Sequence, residues 1–332
     1  MPLTPYQSVN TRTWFNGTDA DLAAHIELYK GEVDRSYETT SLIKRLGLSN
    51  VVSTEGETRA YRIDRLGGAT VRGRRSGETL QADRTVTGKH TVYVDVVTYA
   101  RNSFDYADDW TSPSRVAEVG SEQGFAMAKK YDEAHIRKLV KLGDWQKPAD
   151  LNNFYNGHRI DMTGFSAETN LEAKADLLVQ CSRDAITEMV VREVSPDMSG
   201  FVWLIRPDWY NILLNNKQIT NQAFQSDSGI NDLVQRRIGL LHGIPIYETP
   251  RLMLTPDTSD YYLGSEFNID ERLAKAGMVL FHPRYTLITV EAKPLYMNHF
   301  ALDEIHTHFL ESVHMYNVAE RRGDAVSVIA AD

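Results

Sequence analysis

Cysteine is nearly absent: the 332 residues hold one, Cys181. A lone cysteine cannot close an internal disulfide, so stability rests on packing and a reducing cytosol is the expected place of synthesis. Long apolar runs are missing too. None exceeds six residues, the length of Ala276–Phe281, against the ~18 residues a membrane span needs. The opening Met1-Pro-Leu-Thr-Pro lacks the basic and apolar stretches of a secretory signal. Positive charge is in deficit, with 36 Lys and Arg against 45 Asp and Glu for a net charge of −9. A surface built to grip nucleic acid concentrates the opposite sign. Short-period repeats and low-complexity tracts are absent, which excludes solenoids and propellers.

Catalytic motifs are missing as well. Gly68–Gly73 has the glycine spacing of a phosphate loop, but Arg74-Arg75 stands where Lys-Ser/Thr is required. No Gly-x-Gly-x-x-Gly follows a strand, and no serine sits in a nucleophile elbow. Cys181 falls inside an expected helix, where a small buried side chain is the ordinary role. Asp105, Asp108 and Asp109 lack the glycine and terminal glutamate of a calcium loop. His306 and His308, with His299 and His314, form the one histidine cluster, and on a strand the first two would share a face as zinc ligands do. A metal-dependent enzyme using His306 and His308 is therefore the alternative of a different class. No catalytic, cofactor-binding or metal residue is assigned.

What is present is 42% hydrophobic and 24% charged residues, a globular composition with enough length for a large core. Residues 1–18 read as a polar extended arm. A helix follows, with Thr18 as cap, Leu22, Ile26 and Tyr29 on one face, and Gly31 as its expected end. Residues 56–90 differ from the rest. Eight basic residues against four acidic ones make this segment +4, and the remaining 28 basic and 41 acidic residues make −13. With six glycines and few aliphatics it cannot build a core, so a long hairpin loop around Tyr61–Ile63 is expected, and loops of that length are usually functional.

Thr91–Tyr99 reads as one strand with Val92, Val94 and Val96 on one side. Ser112 and Pro113 open a helix that Gly143 closes; residues 113–142 would span ~45 Å. Val116, Val119, Met127, Tyr131 and Ala134 stripe it, widened by Ile136, Leu139 and Val140. Residues 144–165 read as loop, Leu171–Arg192 as a helix capped by Asn170, and Phe201–Ile205 as a buried strand. Arg206-Pro207-Asp208 turns into a helix, with Trp203 and Trp209 in the core. Ile230–Leu240 is expected as a short helix, and 243–250 as an edge segment because of its two prolines. Met278–Phe281 and Thr286–Val290 are expected strands. For 306–318, Phe309, Val313 and Tyr316 fit a helix, while Phe309, Val313 and Met315 fit a strand face. Ala325–Ala330 closes the chain as a strand, and the class is α+β.

The order of these parts resembles the Hong Kong 97-type phage major capsid proteins, most closely those of short-tailed, T7-like phages. Gly31-Glu32-Val33, Tyr37 and Thr40-Ser41 are similar to that group's arm-to-hairpin entry. Gly77-Glu78-Thr79-Leu80 and Lys89-His90 resemble the end of its extended loop. Arg206-Pro207-Asp208-Trp209-Tyr210 resembles its strand-to-helix turn in the axial domain, and Gly239 with Gly243 to Leu252 the segment after it. Phe281-His282-Pro283-Arg284 to Val290 resembles the return strand, and Met315-Tyr316, Arg321-Arg322-Gly323 to Ile329 the ending.

The resemblance implies an N-terminal arm over 1–50, an extended β-hairpin loop over 51–95, and a peripheral domain over 96–165 with spine helix 113–142. It also implies an axial α/β domain over 166–277 and returning peripheral strands over 278–332, with 306–318 as strand. The implied function is self-assembly into an icosahedral shell around phage dsDNA, bound without sequence specificity. A same-fold cellular nanocompartment is an alternative. Hexamers and pentamers of this chain, a scaffold protein, a portal and a decoration protein are the implied partners, with assembly in the host cytoplasm, residence in the virion and no membrane. The expected inter-subunit contacts are Arg59, Arg62, Arg65, Arg72, Arg74, Arg75, Glu78 and Arg84 in the loop, and Tyr6, Trp14 and Phe15 in the arm. Cross-linked members of the family join a loop lysine to a neighbour's asparagine; here Lys89, at the hairpin base, is the one lysine in 56–90.

Overall fold

The computed structural model describes residues 19–54, 59–80, 82, 86–105, 115–194, 198–216, 239–257, 259, 261–302 and 307–332. The arm residues Tyr6, Trp14 and Phe15, the caps Thr18, Ser112 and Pro113, and Arg84, Asp108, Asp109 and His306 lie outside the described residues. So does most of the helix expected over 230–240, whose last residue, Leu240, begins a strand.

Helix α1 (Asp19–Thr40) runs straight through Gly31, the expected stop. Tyr29, Val33 and Tyr37 are fully buried at spacings of four. Continuing that stripe is worth several kcal/mol of apolar burial, more than the ~1 kcal/mol a mid-helix glycine costs. The break comes instead at Ser41, which caps the short helix α2 (Leu42–Arg45) by accepting from Lys44 N.

Strands β1 (Asn50–Ser53), β2 (Ala60–Leu66), β3 (Thr87–Tyr93) and β4 (Thr98–Asp105) follow. The single strand expected over Thr91–Tyr99 is thus two. β3 pairs with β2, whereas β4 belongs to another sheet, so residues 94–97 are spent changing partners. Helix α3 (Arg115–Leu142) matches the expected spine. Strand β5 (His158–Met162) was expected as loop; its partner lies at the far end of the chain.

Helix α4 (Leu171–Val191) is capped by Asn170. Strand β6 (Val202–Ile205) leads into helix α5 (Pro207–Leu213). After β7 (Leu240–Leu241), β8 (Ile244–Glu248) and helix α6 (Glu271–Ala274) come β9 (Ala276–Phe281), helix α7 (Pro283–Thr286), β10 (Leu287–Leu302), β11 (Thr307–Glu320) and β12 (Val326–Ala331).

The chain divides into two compact units. One comprises Met1–Arg59, Tyr93–Glu133 and Val290–Asn317; the other comprises Ala60–Val92, Ala134–Thr289 and Val318–Asp332. In the first, a four-stranded sheet has the order β1-β10-β11-β4, with β4 antiparallel to β11. Even-numbered β11 residues from Leu310 to Tyr316 are buried and odd-numbered ones are half-exposed, the period of two that a strand imposes. That alternation resolves 307–318 as strand; His306 lies outside the described residues. Gly120 and Gly124 of α3 lie against α1: a Cβ on Gly124 would overlap Ser36 Oγ and stand 2.6 Å from Val33 O.

The second unit holds the six-stranded sheet β5-β12-β9-β6-β8-β7. Its core gathers Leu178, Val179, Ala185 and Met189 of α4 with Trp203, Ile205, Trp209, Met278, Leu280 and Ile329. β8 was expected at an edge; it lies between β6 and the two-residue β7. Pro245 faces Leu240, while β6 pairs only from Ile246 onward. The proline's missing N–H therefore falls where β6 asks for no donor.

Candidate functional site: the extended loop and its base

Strands β2 and β3 form a two-stranded sheet of their own, and the chain between them is the basic, glycine-rich segment. Every residue from Ala69 to Leu80 is exposed. Val71 is 95% and Leu80 81% exposed, and Leu66 at the end of β2 is exposed too. A turn sits inside this stretch. Glu78 N donates to Arg75 O (3.2 Å), Arg75 N donates to Glu78 Oε2 (3.0 Å), and Gly77 takes φ +94°, a conformation that favours glycine.

The loop's base is fastened to the second unit. Gly68 N donates to Asn152 Oδ1 (3.0 Å), and Asn153 Nδ2 donates to Leu66 O (3.1 Å). Arg65 is 7% exposed. Its Nη2 donates to Glu320 O (2.8 Å) and its Nε to Arg321 O (3.0 Å), while the guanidinium lies 5.6 Å from the centre of the Trp145 ring. The Glu320 carboxylate is within 3.5 Å of Arg65, 3.8 Å of His90 Nε2 and 2.9 Å of Lys138 Nζ. Burial pushes this carboxyl up, but the Lys138 charge beside it, with smaller help from backbone and His90, holds it below the usual range.

The expected contact residues separate into groups. Arg59, Arg72, Arg74 and Arg75 are exposed. Arg62 is exposed and paired with Asp64 at 2.8 Å. Arg65 was expected to face a neighbouring subunit; it is turned inward, because two backbone carbonyls, a carboxylate and an indole satisfy it there. Glu78 shapes the turn. The pattern IDRL hinted at Arg65: it shares a strand face with buried Ile63, two residues earlier. What the charge count overlooked is the aliphatic pair, Val71 and Leu80.

Of the expected histidine cluster, His306 lies outside the described residues. His314 is buried, 3.2 Å from Glu291 Oε1 and 3.5 Å from Tyr37 OH, and stacks on Tyr131 and Tyr316. Among the described residues no group of three or more His, Cys, Asp or Glu is placed to hold a metal ion, and no helix is long and apolar enough to cross a membrane.

The sequence matches no protein-family model and no curated protein. The solved structures are informative. The mature capsid of bacteriophage PhiM1 is 32% identical with a TM-score of 0.77, covering 88% of this chain and 87% of that one. The chain belongs to the phage major capsid proteins of the Hong Kong 97 type. The capsid of cyanophage P-SCSP1u has a TM-score of 0.70 at 15% identity, covering 86% of each chain. A virus-like particle from Pyrococcus furiosus has 0.54 at 13%, covering 91% of this chain and 98% of that one. These two share the fold, which extends beyond phages, so the family assignment rests on the PhiM1 likeness. As a major capsid protein the chain is a component of the virion shell and works as a homo-oligomer.

Proposed function

We propose that residues 67–86 are the clasp by which each copy of this capsid protein grips its neighbour. The observation that carries this is the near-complete exposure of Val71 and Leu80 beside Arg72, Arg74 and Arg75, on a loop whose base is held by buried polar contacts. Burying a Val or Leu contributes about 1.5–3 kcal/mol, while an exposed ion pair contributes about 0–1 kcal/mol. The aliphatics then supply affinity, and the arginines supply register against the −13 remainder. Arg59 and Arg62 flank the clasp, and Arg84 and the arm residues Tyr6, Trp14 and Phe15 add to the same contact.

In this reading the extended loop, the peripheral part with α3 and the axial part with the six-stranded sheet build hexamers and pentamers of a shell around dsDNA. A scaffold protein, a portal and a decoration protein complete the particle, which assembles in the host cytoplasm. The order of motifs supports a short-tailed phage, and the protein's role is structural, without catalysis. Charge reversal of Arg72, Arg74 and Arg75 together is the test. It is expected to abolish closed shells, seen by negative-stain microscopy, while leaving a folded subunit. Unchanged shells would overturn the docking role.

A further inference from the structure

The clasp needs a fixed direction as well as sticky residues, because a neighbour's surface lies at one place only. β2 and β3 make a two-stranded sheet, and such a hairpin is marginal alone. Its direction must therefore come from what holds its base. Arg65 comes from β2, His90 from β3 and Lys138 from α3, and all three meet the Glu320 carboxylate at the end of β11. We infer that Glu320 is the positioning residue of the clasp, setting the direction in which residues 67–86 leave the body.

The carboxylate is well suited to this. Arg65 and Lys138 are both largely buried, and without an anion between them two cations would face each other in a poorly solvated place. Arg65 also donates to the Glu320 and Arg321 carbonyls, so the Glu320 carboxylate and the backbone of two successive residues fix the guanidinium. Lys138 has a second carboxylate, Glu266 Oε2 at 3.4 Å, on its outer side. Losing Glu320 would therefore release the loop strands first, leaving Lys138 a partner and the fold of α3 intact.

The inference rests on the clasp reading, and the experiment separates the two. Spin labels at Thr70→Cys and Lys174→Cys, in a Cys181→Ser background, report the loop-to-body distance distribution in unassembled full-length protein by pulsed dipolar spectroscopy. Glu320→Gln, equal in shape but uncharged, is expected to broaden that distribution and to lower the thermal midpoint while leaving the subunit folded at assembly temperature, and to replace uniform closed shells with open or mixed-size particles. An unchanged distribution overturns the positioning role whatever the shells do. A broadened distribution with uniform shells upholds Glu320 and overturns the clasp. Should Glu320→Gln fail to fold, Arg65→Lys keeps the charge, loses the paired donation to the two carbonyls and is read the same way.

Discussion

Lys138 Nζ stands 2.9 Å from Glu320 Oε2, joining the spine helix to the last residue of β11. Because the Glu320 carboxyl is held below its ordinary value of 4.5, its charge favours the folded state above that value. The contribution is lost as pH falls through the lower folded value. Protection of the β2 and β3 amides, corrected for the intrinsic pH dependence of exchange, is therefore expected to hold above 4.5 and to fall as the pH drops below it. In Glu320→Gln the part of that fall that comes from this carboxylate should vanish.

Gly124 is expected to tolerate no side chain. Its Cβ would meet Ser36 Oγ and the Val33 carbonyl of α1, and the second is backbone that cannot turn aside. Gly124→Val should cost about 1–3 kcal/mol or more, as overpacking at a helix crossing does. Urea unfolding of the unassembled subunit measures it, with Gly31→Ala, where nothing lies within 4 Å, as the neutral or stabilising control.

Asp132 is a buried carboxylate that accepts from Ser41 Oγ (2.6 Å), Leu42 N (2.8 Å) and Ile43 N (3.3 Å), closing the start of α2. Asp132→Ala orphans three donors at once and should destabilise by roughly 2–5 kcal/mol. Asp132→Asn keeps the shape and one acceptor oxygen, so it should cost less in the same unfolding measurement.

At the loop, Val71→Asp or Leu80→Asp is expected to impair shell formation more than Arg74→Ala does. Loss of about 1.5–3 kcal/mol of apolar burial at every copy exceeds one screened ion pair. Light scattering during assembly gives the ranking. The triple arginine reversal should add a dependence on salt that the aliphatic variants lack.

Much of the fold was legible because local signals agreed with the tertiary answer. Pro and Gly punctuation bracketed α3, Asn170 marked α4, and the apolar runs at 201–205 and 276–281 marked central strands. Misreadings arose where a distant partner decided the matter. Gly31 read as a stop until the buried stripe Tyr29–Val33–Tyr37 carried the helix past it. β5 is five residues whose pairing with β12 lies some 170 positions away, and no local pattern announces it. At the loop, charge identified the segment, but composition could not separate Arg65, bonded to backbone carbonyls of residues 320 and 321, from the arginines that face outward.

The central claim is tested most directly by a high-resolution cryo-electron microscopy reconstruction of the assembled shell. The account expects Val71 and Leu80 buried against another copy, with Arg72, Arg74 and Arg75 within ion-pair distance of that copy's carboxylates. Finding residues 67–86 solvent-exposed in the closed particle, or packed on their own subunit, would contradict it.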